Sequence, residues 1–307
     1  MSAAIRSVSV ITPVYRNEDM LVALAGRVAA ALADRPWRLR FVVDASPDAS
    51  LAVALRLAAT DTRVGVTVLP ANVGPHRALA AGLAVEEGAT TWVCLDADLQ
   101  DPPEAVPELL DRLAEGDVAA VFAGRVGRYE GRGRQVTGRL HRMALSRLCD
   151  VPPDAGAYVA LGPAARDAVV RLGAPSIVAA IGTTGLPVAS VPVARALRPS
   201  GRSAWRSSAR LRQSVETLAW AARERLARAD AGARSPHDHR RLGATDQQLR
   251  RAGAVGGHGP DVDAGARGLA VGDAVHDATV VEPRHLVVDA TGLGQGPVGQ
   301  GGDVEHA

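Results

Sequence analysis

The stretch Trp92-Val-Cys-Leu-Asp96-Ala-Asp98-Leu-Gln100-Asp101-Pro102-Pro103-Glu104 decides how this chain is read. An apolar strand runs into two carboxylates, and on an extended end that spacing points Asp96 and Asp98 the same way. A pair of hard oxygen ligands beside a turn suits Mg2+ or Mn2+ bound together with the phosphates of a substrate, because such ions keep open coordination positions. The plain alternative is an acidic strand-to-loop junction, the commoner fate of a bare Asp-x-Asp. The longer string shifts the balance toward the metal. Leu-Gln-Asp-Pro-Pro-Glu adds a turn, two prolines able to open a helix, and Glu104 in that helix's first turn.

Outward from this stretch the chain alternates. Val8 to Pro13 reads as a strand, Asp19 to Leu32 as a helix, Arg38 to Val43 as a strand and Ala49 to Ala59 as a helix. Val64 to Leu69 follows as a strand and Pro75 to Glu87 as a helix with proline at its first position. Trp92 to Leu95, Glu104 to Ala114 and Val118 to Ala123 then read as strand, helix and strand. Such alternation predicts an α/β fold with a mainly parallel sheet and helices on both faces. Ligands of these sheets sit beyond the carboxyl ends of the strands. Pro13 to Glu18, Asp44 to Asp48 and Asp96 to Asp98 all fall at such ends, so three distant motifs are expected to share one crevice.

Composition bounds the function. The 307 residues, 47% hydrophobic, can build a sizeable core in one large domain or two small ones. A net charge of +2 gives no electrostatic case for nucleic acid. All 35 basic residues are Arg, whose planar, always-charged forks match phosphate. Cys94 and Cys149 form neither a disulfide framework nor a zinc pattern. No export signal is visible at the start of the chain, so a cytoplasmic location is expected. Ala174 to Ala194 is uncharged over nearly the length a bilayer needs, but Gly182, Gly185, Pro187 and Pro192 divide it. A helix, a glycine turn and a short strand ending before Arg195 fit that pattern better.

Four further segments stand in order around the Asp-x-Asp stretch. They are Ser7-Val-Ser-Val-Ile-Thr-Pro13-Val-Tyr15-Arg-Asn17-Glu18, Phe41-Val-Val43-Asp44-Ala-Ser46-Pro-Asp48-Ala-Ser50, Asn72-Val-Gly74-Pro-His76-Arg77 and Arg198-Pro-Ser-Gly201-Arg202-Ser203-Ala-Trp205. Together the five resemble the inverting family 2 glycosyltransferases, especially the dolichyl- and polyprenyl-phosphate sugar synthases. The resemblance spans residues 5 to 228 and implies a GT-A-like catalytic domain over residues 1–230. It also implies a nucleotide-sugar donor, a polyprenyl phosphate acceptor, and Mg2+ or Mn2+ held by Asp98 with Asp96. Pro13, Tyr15, Glu18, Asp44, Asp96 and Gln100 are then expected around the nucleotide. For Asp44 the alternative is an Asx-turn carboxylate capping the helix near Ala49, while Asn17 and Ser46 read as turn-formers. Two positions depart from the family pattern. Val43 replaces the first Asp of an Asp-Asp pair, and Gly156-Ala157-Tyr158 stands where Gly-Asp-Phe is usual.

The acceptor side rests on arginine. Arg125, Arg128, Arg132, Arg134, Arg139, Arg142 and Arg147 share a glycine-rich stretch with one acid, Glu130. An arbitrary charge run of this kind is a solvated surface segment, but Arg forks on a glycine-rich loop can close over phosphate. Arg125-Val-Gly-Arg128 resembles the family's Arg-x-x-Arg acceptor loop. A hydroxyl acceptor needs a general base and an ionised phosphate does not. With Ala157 in place of a carboxylate, Asp154 is the nearby acid, either a base or a Pro-Asp-x-Gly turn residue. A phosphate held by Arg128 and Arg198 tolerates that loss.

Ser203 to Ala227 reads as an amphipathic helix with Leu211, Val215, Leu218 and Ala222 on one face. Such a basic helix either rests on an anionic membrane surface or packs against its own sheet. Residues 231–307 hold 15 of the 32 glycines without a sustained period, so a disordered tail, or a shifted reading frame, is expected there. His237-Asp-His239 lacks further ligands at metal spacing. The competing readings are transfer to a soluble hydroxyl, nucleotidyl transfer with similar carboxylates, and a nucleotide-sugar binding protein with weak catalysis.

Overall fold

The computed structural model describes residues 7–126, 142–195, 211–228 and 286–288. The elements run β1 (Val8–Val14), α1 (Leu21–Ala31), β2 (Trp37–Asp44), α2 (Ser50–Thr60), β3 (Val64–Leu69), α3 (Pro75–Val85) and β4 (Thr91–Cys94). A 3-10 turn (Pro103–Ala105) leads into α4 (Val106–Ala114) and β5 (Ala120–Val126). After α5 (142–149) come β6 (Val159–Leu161), α6 (Pro163–Leu172), α7 (Ile177–Thr183), β7 (Val188–Ala194), α8 (211–228) and β8 (Leu286–Val288).

The sheet order is β7-β5-β6-β4-β1-β2-β3-β8. Parallel pairing joins β4, β1, β2 and β3, and also β5 to β7. β6 runs antiparallel between β4 and β5, so the sheet is mixed in its second half. β8, a Leu-Val-Val run within the stretch expected to form a disordered tail, pairs antiparallel with β3. Its β-branched residues have the propensity for an edge strand, which a whole-tail glycine count hides. Contacts divide the chain into two compact units, Met1–Arg223 with Arg284–Ala307, and Glu224–Pro283. The sheet belongs to the first.

Strands buried on both sides explain the near-continuous apolar runs. One face packs under α1, α2 and α4 through Leu24, Val28, Val53, Leu109 and Leu113. The other lies under α3, α6 and α7 through Leu79, Val169 and Ile181. α3 sits very close to the strands at Gly82, where a Cβ would come within 2.4 Å of Ile11 Cγ2. On that face Arg40 and Glu86, both about fully buried, pair through Nε–H to Oε1 at 2.7 Å, and Ser9 Oγ donates to Glu86 Oε2 at 3.1 Å.

The uncharged stretch resolves into α7, a left-handed Gly185 with φ of 70° and β7, as its glycine and proline spacing predicts. In α8 the inward residues are Thr217 and Ala221. Leu211 and Val215, expected on the apolar face of this helix, are 68% and 59% exposed. The inward stripe is set by small residues that allow close approach rather than by the bulkiest ones. The expected start of that helix at Ser203 lies outside the described residues, as do Arg128, Arg198 and His237-Asp-His239.

Candidate active site

β4, β1 and β2 are adjacent and parallel, so the loops after Val14, Asp44 and Cys94 leave the same edge of the sheet. The first two loops are stitched together. Arg16 N–H donates to Ser46 Oγ at 2.8 Å, Asn17 N–H to Ser50 Oγ at 3.0 Å and Glu18 N–H to Asp48 Oδ2 at 3.3 Å. Glu18 returns the contact by accepting Ala49 N–H on Oε2 at 2.6 Å, and Asp48 Oδ1 accepts Ser50 N–H at 3.2 Å. These two acids supply the side-chain acceptors at the start of α2, with its amide and dipole positive end. Burial pushes the Asp48 carboxyl up, but the Ser46, Ser50 and Glu18 hydrogen bonds outweigh it and hold the pKa below the ordinary value. Pro13 is buried in β1 and Tyr15 half-buried above it, its N–H donating to Asn17 Oδ1 at 3.1 Å. An open depression of about 420 Å³ lies beside these loops, lined by Arg16, Glu18, Asp19, Pro47 and Asp48.

Asp44 does not cap α2. Its carboxylate accepts Val73 N–H at 2.8 Å and Gly74 N–H at 2.9 Å, which ties the end of β2 to the start of α3. Asn72 Nδ2 adds a bond to the Asp44 carbonyl at 3.2 Å. Burial raises the Asp44 pKa, with the two amides pulling the other way. The Asx-turn alternative fails because both oxygens of the Asp44 carboxylate accept backbone amides of residues 73 and 74 instead.

The Asp-x-Asp segment differs from expectation in geometry. β4 stops at Cys94, residues 97–99 form a turn, and Leu99 has a φ of 58°, so Asp96 and Asp98 are not alternate residues of an extended end. Asp98 is 7% exposed and accepts Gln100 N–H on Oδ1 at 3.1 Å. Asp101 is 3% exposed, with its Oδ2 3.5 Å from the Asp96 amide nitrogen.

Arg195, which directly follows β7, belongs to none of the sequence motifs. It donates from Nε to Asp101 Oδ1 at 2.8 Å and from Nη2 to Asp96 Oδ2 at 3.3 Å. Burial disfavours its charge, but the carboxylates of Asp101, Asp96 and Asp98 outweigh that and raise its pKa. A second anchor is Tyr158, whose hydroxyl donates to the Pro102 carbonyl at 2.7 Å. A third is a two-pronged pair from Arg27 Nε and Nη2 on α1 to Glu104 at 2.7 and 2.6 Å.

Asp154 sits in a turn closed by Ala155 N–H to the Pro152 carbonyl at 3.0 Å. Its Oδ2 accepts Ser190 Oγ at 3.0 Å and lies over Gly124, where a Cβ would come within 2.1 Å of it. Phe122 and Cys94 both pair with Val159, so Gly124 and Asp96 stand at the same edge, two strand spacings or roughly 10 Å apart. Ala157, at the position where the family pattern carries an acid, is buried.

The donor set fits a hard divalent ion. Asp96 and Asp98 offer oxygen ligands, and the guanidinium of Arg195 shows that positive charge is accommodated against Asp96. Among the described residues no group of three or more His, Cys, Asp or Glu side chains is arranged to hold a metal. An ion held by Asp96 and Asp98 would leave coordination positions open to substrate oxygens and water.

A parallel β4-β1-β2 edge carrying a carboxylate turn, with an antiparallel strand beyond it, defines a GT-A-like fold. Residues 9–157 match the model for glycosyl transferase family 2. It is 36% identical over 148 residues to an undecaprenyl-phosphate 4-deoxy-4-formamido-L-arabinose transferase of Pectobacterium carotovorum subsp. carotovorum (strain PC1), covering 47% of this chain and 44% of that protein. The protein of the same description in Pseudomonas aeruginosa (strain LESB58) is also 36% identical over 148 residues, with 47% and 43% covered. The chain thus matches less than half the length of these relatives. Among solved structures, glucosyl-3-phosphoglycerate synthase from Mycobacterium tuberculosis in complex with Mn2+, uridine diphosphate and glucosyl-3-phosphoglycerate superposes with a TM-score of 0.53 at 16% identity, covering 71% of this chain and 80% of that one. The same enzyme with Mg2+ and uridine diphosphate gives 0.52 at 18% identity, with 71% and 79% covered. At those identities the likeness establishes the fold.

Proposed function

We propose that this protein is a metal-dependent inverting glycosyltransferase that moves a sugar from a nucleoside diphosphate donor to a polyprenyl phosphate. The observation that carries this reading is the meeting of the β1, β2 and β4 loops at one edge, with Asp98 buried and Asp96 beside it. The family match and the activity for which the relatives are named support it.

Asp96 and Asp98 would hold Mg2+ or Mn2+, which when bound supplies Lewis-acid neutralisation of the leaving diphosphate. Glu18 and Asp44 each direct carboxylate oxygens at backbone amides, so they first shape the nucleoside cradle and keep remaining lone pairs for the ligand. Pro13, Tyr15 and Gln100 complete its wall. The acceptor oxygen attacks the anomeric carbon as the bond to the diphosphate breaks, in one displacement that inverts the centre. An ionised phosphate needs no proton removed, consistent with Ala157. Arg128 and Arg198 bind that phosphate in this reading. β5 and β7 pair up to Val126 and Ala194, so the segments bearing both arginines leave the sheet from adjacent strand ends. Among the described residues no helix is long and apolar enough to cross a membrane. The exposed Leu211 and Val215 on basic α8 supply a face for peripheral contact with the lipid surface that carries the acceptor.

Purified protein incubated with Mn2+ or Mg2+, a panel of nucleotide sugars and a polyprenyl phosphate should release free nucleoside diphosphate only when the acceptor is present. Asp98→Ala should abolish turnover and metal-dependent nucleotide binding while leaving the fold intact. Nucleotide binding that calorimetry finds equally tight in chelator and in Mn2+ refutes the metal role.

A further inference from the structure

Arg195 joins the carboxylate turn to the end of β7. Its side chain is 8% exposed, and its contacts with Asp101 and Asp96 are unequal. The partner at 2.8 Å, Asp101, is 4% exposed, whereas the partner at 3.3 Å, Asp96, is 29% exposed. One arm is therefore anchored inside the protein and the other reaches an oxygen that ligands can approach. A hard divalent ion binds carboxylate oxygen at about 2.0–2.1 Å for Mg2+, and it competes with a guanidinium donating to the same group.

Resting on the metal-dependent reading above, the geometry points to Arg195 as a positioning residue that neutralises Asp96 in the metal-free protein and yields it to the ion while staying anchored on Asp101. The exchange keeps the carboxylate cluster compensated in both states, since the buried guanidinium remains within reach of Asp101 and the ion supplies the charge that Asp96 loses.

The test compares the full chain with Arg195→Gln and Arg195→Lys, titrating Mn2+ calorimetrically in the presence of uridine diphosphate and melting each protein in chelator and in Mn2+. Removing a competing charge-assisted contact should tighten Mn2+ binding about tenfold in Arg195→Gln. Arg195→Lys should stay within about threefold of the parent because it keeps the charge. Arg195→Gln should also melt lower in chelator and gain more from Mn2+ than the parent does. A purely structural cation predicts the same loss with and without metal. Mn2+ affinity unchanged or weaker in Arg195→Gln overturns the inference alone. So does a glutamine variant that stays unfolded at saturating Mn2+ while the lysine variant folds, whereas folding only with Mn2+ supports it. A parent protein that binds no Mn2+ overturns the metal reading and this inference with it.

Discussion

Tyr158→Phe tests how the carboxylate turn is held, because it deletes one hydroxyl and keeps the ring. Tyr158 is 3% exposed and its hydroxyl donates to the Pro102 carbonyl at 2.7 Å, at the junction between the Asp-x-Asp turn and α4. An orphaned buried carbonyl would cost about 1–3 kcal/mol. This carbonyl is not orphaned, since it also accepts Ala105 N–H at 3.1 Å and Pro102 is half-buried. The expected loss is therefore that of one neutral hydrogen bond, about 1 kcal/mol, or a fall in Tm of about 2–4 °C for a domain of this size.

Urea unfolding followed by the fluorescence of Trp37 and Trp92, both buried, gives the comparison. The deficit should depend on pH with a definite sign. Burial, then the Asp101 and Glu104 carboxylates, raises the phenol's pKa in the folded protein. Such a group contributes stability that is complete below its unfolded value near 10 and is lost as pH rises toward the folded value. The difference between parent and variant should thus be constant from pH 6 to about 9 and narrow above about 10. An unchanged urea midpoint, or a deficit that widens at alkaline pH, refutes the assigned bond.

The acceptor side yields two further expectations. Arg128→Ala or Arg198→Ala should lower kcat/KM for a polyprenyl phosphate by about ten- to a hundredfold, the worth of one charge-assisted contact, with donor affinity little changed. Asp154→Asn should be tolerated if the acceptor is an ionised phosphate. Loss of turnover at Asp154 with neither arginine needed would favour a hydroxyl acceptor instead. In the donor loop, Ala45→Gly should stabilise the fold by about 1 kcal/mol, the usual cost of a left-handed non-glycine residue, and a lower melting temperature in that variant would count against the backbone assignment.

Much of the architecture was legible because it is written in local periodicity. The strands from Val8 to Leu69 and the helix opening at Pro75 follow from apolar runs and a proline at the first helical position. The convergence of three motifs followed from the rule for carboxyl edges. Side-chain partners were less legible, because they depend on contacts distant in sequence. Arg195 meets residues 94 and 99 positions away, and a lone arginine after a strand carries no mark of that. The contact of Glu18 with the Ala49 amide just before α2, 31 residues away in sequence, also carries no local mark. The turn at Asp98 was missed for a different reason. Asp-x-Asp spacing fixes orientation only if the backbone stays extended, and Leu99 does not reveal by its type that it will adopt a positive φ.

The positive-φ residues explain why the edge is built from these loops. Among the described residues the non-glycine cases are Arg16, Ala45, Leu99 and Asp150, and the first three follow β1, β2 and β4 in turn. Each such conformation costs about 1–2 kcal/mol for an L-residue, so it persists only where surrounding contacts overdetermine it. Those contacts are visible at each point. Ser46 Oγ receives Arg16 N–H, Asp44 next to Ala45 is held by two amides, and Asp98 next to Leu99 receives Gln100 N–H. The hydrogen bonds that fix the strained backbone are made by the acidic and hydroxyl side chains of the motifs themselves. Substituting one of these acids will therefore change loop geometry as well as ligand contact, and an activity loss at Asp44 or Glu18 alone cannot be assigned to nucleotide contact. Asp96 is the more accessible probe: its side chain is 29% exposed and meets Arg195 Nη2 at 3.3 Å, so its replacement removes ligand capacity at a carboxylate that a ligand can approach.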